Sequence, residues 1–295
     1  MHALKPFDYF EPGTVQEALE ILSIHDKKAK VLAGGIDLIP RMRKGKINAD
    51  YVVNIQKIPG LEYFESGKEG LKFGAMNKLC SIENSEVIQK NYPILYEAIH
   101  QIASTQTKYM GTVVGNLCVG TPASDIATAL FALGAELKIA GINGERTEPI
   151  ENFYPDYGCT SLNLGEMVTG VLLPVPQAGT KTAFLNIVRT RADIAKISVA
   201  IALATEEGVC KEAKIVIGAA APTVIRAKKA EALLKDGPFD VKTIQRASAT
   251  AAEETKPITD LRSTAEYRKE MARVLVTRAL EQALEPKNAN ERKMK

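Results

Sequence analysis

Two short glycine-bearing segments carry the residue types best suited to holding an anion. "VLAGGIDL" at 31–38 sets paired glycines and an aspartate directly after a hydrophobic run, and "GTVVGNLCVGTPASD" at 111–125 spreads three glycines and a proline among small residues. Paired glycines cost backbone entropy, so a folded chain keeps them where φ must be positive or where something approaches the backbone closely. One such pair after a strand is most often a turn. Two segments in one domain can together present N–H groups to one elongated anion. Gly34 and Gly35 would approach one part of a diphosphate, while Gly111, Gly115 and Gly120 would shape the surface for another. The ligand class this predicts is a dinucleotide.

Other chemistries are excluded by what the 295 residues lack. Cys80, Cys118, Cys159 and Cys210 lie far apart with no CxxC pair, so no sequence-local zinc or iron–sulfur site is expected and the thiols are read as reduced. His2, His25 and His100 form no HExxH, no serine sits in a GxSxG elbow, and Gly45-Lys46 lacks the rest of a P-loop. GxGxxG opening a helix does not occur either, which disfavours a Rossmann domain. A net charge of +3, from 38 basic against 35 acidic residues, gives no general pull toward nucleic acid or membrane. No apolar run approaches the roughly 20 residues of a membrane span, and "MHALKPFDYF" does not read as a signal peptide, so a cytoplasmic chain is expected.

The elements that must position the two loops follow from periodicity. Val15, Ala18, Leu19 and Leu22 fall at helical spacing behind Thr14 and Glu17 in capping-box register. "KAKVLAG" and "YVVNI" read as strands, and "LEYFESGKEGLKFGA" as a hairpin turning at Gly67 to Gly70. Residues 81–104 read as helix interrupted near Pro93, 111–125 as the least regular stretch, and "IATALFALGA" as an apolar helix. A hairpin turning at Asn143-Gly144 and a strand "EMVTGVLLP" close the first half. "VPQAGTK" has linker composition. Beyond it, three antiparallel strands ("AFLNIVRT", "KISVAIALATEEG", "VCKEAKIVIGAAAP") precede helices near 226–235, 240–254 and 264–285, an α+β pattern with the helices on one sheet face.

"AGGIDL" at 33–38, "GTVVGNLCVGTPASD" followed by "ALFALGAEL", and "RTRADIAKIS" at 189–198 together resemble the FAD-binding medium subunit of molybdenum hydroxylases, the family of carbon monoxide dehydrogenase medium subunits and xanthine dehydrogenase flavin domains. The likeness runs through nearly the whole chain. It implies an α+β fold: a vanillyl-alcohol-oxidase (PCMH) type FAD-binding domain over 1–176, with subdomains of about 1–56 and 57–176, then a C-terminal domain over 177–287 with a three-stranded antiparallel sheet and helices. A flexible basic tail is expected at 288–295.

The resemblance also implies the cofactor contacts. Ala33, Gly34, Gly35, Ile36 and Asp37, with Val31, Leu32 and Leu38 beside them, would wrap the FAD diphosphate through backbone donors. Gly111, Thr112, Gly115 and Asn116 would hold its other side, Thr112 through its hydroxyl, with Cys118, Thr121 and Ser124 nearby. Asp125 would accept hydrogen bonds from the flavin or its ribityl chain, Val168 would line the flavin pocket, and Lys196 would stabilise the reduced ring. Ile102 stands where some members place an aromatic residue, Ile194 where others have tyrosine, and Val114 where a glycine is common. One relative type, 4-hydroxybenzoyl-CoA reductase, carries an extra iron–sulfur cluster on a cysteine-rich insertion; that insertion is absent here, so FAD is the one cofactor expected on this chain.

The function implied is electron relay. A small subunit with iron–sulfur clusters and a large molybdopterin subunit would be the partners, in a dimer of heterotrimers, with NAD slightly favoured over quinone as acceptor. Two other readings stand beside it: a self-contained flavin oxidase of the same fold class, and a scaffold subunit that has lost FAD.

Overall fold

The computed structural model describes residues 4–284, so the tail expected at 288–295 lies outside the described residues. Three units follow one another along the chain. The first is a three-stranded, all-parallel sheet in the order β1-β3-β2, made of β1 (Asp8–Phe10), β2 (Ala29–Leu32) and β3 (Tyr51–Asn54), with α1 (Val15–His25) and α2 (Leu38–Arg43) in the crossovers. Thr14 caps α1 by accepting from the Glu17 N–H at 3.1 Å. The Glu17 carboxylate reaches back to the N–H of Gly13, one residue beyond a regular capping box. Ala18, Leu19 and Leu22 then bury on one face of the helix.

The second unit is a five-stranded antiparallel sheet in the order β4-β5-β8-β6-β7: β4 (Phe64–Gly67), β5 (Gly70–Gly74), β6 (Glu136–Gly141), β7 (Gly144–Pro149) and β8 (Met167–Leu173). Between β5 and β6 run α3 (Leu79–Glu83), α4 (Glu86–Asn91), α5 (Pro93–Gln101), α6 (Thr105–Met110), α7 (Val113–Leu117) and α8 (Asp125–Leu133). Pro93 occupies the first turn of α5, where its missing N–H is not needed. The irregular stretch expected at 111–125 in fact contains α7, begun by Thr112 as N-cap. The β6–β7 turn also differs from expectation: Gly141 pairs with Gly144, so Ile142 and Asn143 make the turn and Gly144, at φ 131°, ends it.

The third unit is antiparallel, in the order β12-β11-β10-β9, from β9 (Lys181–Ile187), β10 (Ile197–Glu206), β11 (Val209–Gly218) and β12 (Ile225–Arg226). The expected three strands therefore gain a fourth, a two-residue edge too short to show period-2 alternation. α9 (Lys228–Leu234), α10 (Val241–Glu253) and α11 (Ala265–Leu284) follow. Ile197, Val199 and Ile201 bury under these helices, while Phe184, Ala200 and Val216 join the core of the second unit. Both faces of this sheet are thus covered, and β10 is apolar almost throughout. No helix of the described residues is long and apolar enough to cross a membrane.

Candidate functional site: a cleft shared by three units

One cleft of about 530 Å³ is lined from all three units, within the range of small-molecule sites. Val31 and Ala33 to Leu38 enter from the end of β2, the segment from Gly111 to Asp125 from the middle unit, and Ala192 to Ala195 from the loop before β10. Val168 and Ile102 complete the wall. Position therefore gathers Val31, Ala33, Gly34, Gly35, Ile36, Asp37, Leu38, Ile102, Gly111, Thr112, Gly115, Asn116, Cys118, Thr121, Ser124, Asp125 and Val168, seventeen of the residues singled out above.

Leu32 and Lys196 stand apart. Leu32 packs on the small apolar cluster of Met42, Ala49 and Val52, because strand alternation turns it away from Val31. The Lys196 ammonium sits 5.6 Å from the centroid of the Tyr267 ring on α11. A cation over an aromatic face is satisfied there.

The glycine loops meet each other directly. A Cβ on Gly34 would run into the Met110 carbonyl oxygen and lie 2.8 Å from its carbon and 2.9 Å from the Gly111 Cα. Gly34 is therefore required by loop-on-loop packing, whatever its N–H goes on to bind. Gly35, at φ 71°, supplies the left-handed residue of the turn. Among the described residues, the N–H groups of Gly34, Gly35, Ile36, Asp37 and Leu38 donate to no protein acceptor. Unspent donors in series form a concave positive surface suited to phosphate oxygens. The Gln56 side chain holds the Ala33 carbonyl and fixes the start of that run.

Thr112 is buried and its Oγ1 accepts from the Gly115 N–H at 2.9 Å. Capping uses the oxygen as acceptor and leaves the hydroxyl proton to donate. Ser124 caps α8 by accepting from the Ala127 N–H, and its own hydroxyl donates to Asn116. Arg41, paired with Asp37 at 3.1 Å, and Lys30 also line the cleft and escaped the sequence reading. The only signal for Arg41 was the basic character of the segment between β2 and β3, and Lys30 lies within β2 itself.

Asp125 is the chemically unbalanced group. It is 3% exposed, its Oδ2 accepts from the Asn186 amide at 2.9 Å, and its Oδ1 is buried without a partner. Desolvation pushes its carboxyl up to about 6, although the Asn186 hydrogen bond and the nearby Ser198 hydroxyl pull the other way. An unfilled acceptor in a ligand-sized cleft is satisfied by a hydroxyl or imide N–H of the ligand. Cys118 opens onto the cleft, and desolvation pushes its thiol up to about 12, so it is neutral at pH 7.

Glu166, which also lines the cleft, is held by a two-pronged bond from Arg146, at 2.9 and 2.8 Å. That bond draws its carboxyl down to about 2. The folded value is depressed, so the stabilisation is complete above the ordinary carboxylate range and is lost as pH falls toward 2. Glu166→Gln is expected to lower stability by about 1–2 kcal/mol at pH 7. In paired urea titrations at pH 7 and pH 2.5, the gap from the parent should shrink at the lower pH; an unchanged gap would remove the fork from the account.

The family model described as FAD binding domain in molybdopterin dehydrogenase matches residues 5–176, and that described as CO dehydrogenase flavoprotein C-terminal domain matches 182–283. The chain belongs to the FAD-binding subunit family of the molybdopterin dehydrogenases. It is 31% identical to the carbon monoxide dehydrogenase medium chain of Afipia carboxidovorans, over 94% of this chain and 96% of that one. To the xanthine dehydrogenase FAD-binding subunit of Escherichia coli O157:H7 it is 26% identical, over 94% and 95%. A carbon monoxide dehydrogenase structure from Hydrogenophaga pseudoflava superposes with a TM-score of 0.93 at 31% identity, covering 95% of this chain and 98% of that one. Members of this family are FAD subunits of oxidoreductases, and FAD is the cofactor of the domain that forms the cleft. The residues present fit it: donors without acceptors on one side and a buried acceptor without a donor on the other. Among the described residues, no group of three or more His, Cys, Asp or Glu is placed to hold a metal ion.

Proposed function

We propose that this chain is the FAD-carrying electron-transfer subunit of a molybdenum-containing hydroxylase or dehydrogenase. The observation that carries the reading is the orphaned Asp125 Oδ1 in a cleft whose far side offers five unspent N–H groups. FAD supplies the redox chemistry when bound, accepting and releasing electrons singly or in pairs. The chain's own work is to bind and orient. The Gly34 to Leu38 donors would neutralise the diphosphate, with Arg41 and the Thr112 hydroxyl beside them, and Asp125 would fix the ribityl or ring end. The apolar wall of Ile102, Val168 and Ile194 would exclude water from the ring.

In this reading electrons arrive from iron–sulfur clusters of a small partner subunit, a large molybdopterin subunit binds the substrate, and NAD or a quinone is the external acceptor. The complex is a dimer of heterotrimers in the cytoplasm. Support comes from relatives that are medium or FAD subunits over nearly their whole length. A boundary near residue 176, between a FAD-binding and a C-terminal domain, is part of the same proposal.

The test is to titrate the purified full chain with FAD and record visible spectra. One equivalent is expected to bind, to be reduced by dithionite, and to remain oxidised with small organic substrates. Reduction by such a substrate would favour the self-contained oxidase, and no uptake by a folded chain would favour the scaffold.

A further inference from the structure

Besides the loop from Ala192 to Ala195 that lines the cleft, the C-terminal unit sends one side chain, Asn186, to the Asp125 carboxylate in the cleft wall. Asn186 lies on β9, outside the FAD-binding family model, yet its amide donates to Asp125 Oδ2 at 2.9 Å. Asp125 opens α8 and is the group whose other oxygen is unpartnered. Around this bond the two units are pressed together without slack. The Thr128 and Ser198 hydroxyls meet across the junction at 3.4 Å, and the Ala219 N–H donates to the Pro122 carbonyl at 2.7 Å. A Cβ on Gly218 would sit 2.5 Å from both of those hydroxyl oxygens. A carboxylate has two equivalent oxygens and can rotate to offer either one. A donor locked in a neighbouring sheet removes that freedom.

We infer that Asn186 is a positioning residue for the flavin: from the C-terminal sheet it claims one oxygen of Asp125, so that the other is held ready for the cofactor. The inference rests on the FAD reading of the cleft. It makes the C-terminal unit part of the cofactor site, so that flavin affinity depends on how that unit is docked.

No charged side chain is paired with Asp125 among the described residues. β9 presents Asn186 and β10 presents Ser198, while α7 and its C-cap contribute Asn116 and the neutral Cys118. Lys214 on β11 reaches the other end of α8, near Gly134. Of the charged groups sharing the cleft, Asp193 is bound to Arg189, Glu166 to Arg146 and Asp37 to Arg41. Loss of the Asn186 donor therefore acts on Asp125 directly, removing a bond that favours its ionised form.

The experiment measures FAD affinity of the full chain, by quenching of flavin fluorescence, from pH 5 to 8. The parent is expected to bind more tightly as Asp125 ionises, with a midpoint near its carboxyl value of about 6. Asn186→Ala should weaken binding about tenfold at pH 8 and move the midpoint up by about one pH unit. Asn186→Asp, of nearly equal volume, should move it further, because two carboxylates then share the site. It keeps the test decisive if the alanine variant does not fold. Glu151→Gln loosens the separate Arg226–Glu151 contact between the units, 2.6 Å long, and should leave the midpoint unmoved. A midpoint equal to the parent's in the Asn186 variants, whatever the affinity, overturns the clamp alone. Failure of the parent to take up FAD overturns the site reading and the clamp with it.

Discussion

Apoprotein carrying Asp125→Asn is expected to be more stable than its parent at pH 7 and yet to bind FAD roughly a hundredfold more weakly. The opposite signs have one origin. Burial has raised the Asp125 carboxyl from 3.8 to about 6, so the folded state binds a proton more tightly than the unfolded state. An acid raised in this way imposes no penalty well below pH 3.8, where it is neutral in both states. Stability then falls as pH rises from about 4 to 6 and stays lower above that. At 1.36 kcal/mol per pH unit, the penalty at pH 7 is about 3 kcal/mol. The amide has no charge to desolvate and should recover much of it, and this position should then add no pH dependence of its own over this window.

Binding moves the other way because an amide offers only one acceptor. Asn186 donates to that position, so the NH₂ of the substituted amide would meet a donor of the cofactor. Losing one charge-assisted bond, with a donor left unmatched, is worth about 3 kcal/mol. Urea titrations of apoprotein at pH 4 and pH 7, alongside FAD affinity at pH 8, check both arms. An amide variant that is less stable at pH 7 and binds FAD normally would remove Asp125 from the site.

The second large effect is expected from Gly34→Ala, a single methyl. Its Cβ would meet backbone on the opposing loop, at Met110 and Gly111, and backbone cannot swing aside as a side chain can. Relief requires moving two loops apart, with an overpacking cost of about 3 kcal/mol and a fall in melting temperature of about 6–10 °C. FAD affinity should fall by about a hundredfold or more, since the N–H run beginning at Gly34 turns away from the partners it must match. Gly67→Ala is the control: nothing lies within 4 Å of the new methyl, and the change should stay within about 0.5 kcal/mol. Equal behaviour of the two variants would contradict the loop-on-loop packing.

What the sequence by itself determined was local. Hydrophobic period and capping chemistry set α1 behind Thr14, α5 at Pro93 and the β4–β5 hairpin, because each depends on neighbours within a few residues. The motif residues, read in order, indicated the FAD-binding family, and the family model matches residues 5–176. Short elements escaped where they hold too few repeats of their period to show it: α7 has five residues and β12 two.

Tertiary structure decided which partners those residues meet. Composition shows that Gly34 is a glycine, but only the approach of the Met110–Gly111 backbone shows which surface needs it bare. Lys196, flanked by apolar residues in sequence, turns to Tyr267, some 70 positions away. Asp125 and Asn186 lie in different units, and neither residue type nor spacing couples them. Their pairing follows from the β9–β10 sheet being covered on both faces, by α10 and α11 on one side and the FAD-binding unit on the other. Burial of that second face brings an amide against a carboxylate. Contacts of this kind are set by where whole surfaces pack, a property of the assembled chain and not of any short stretch of it.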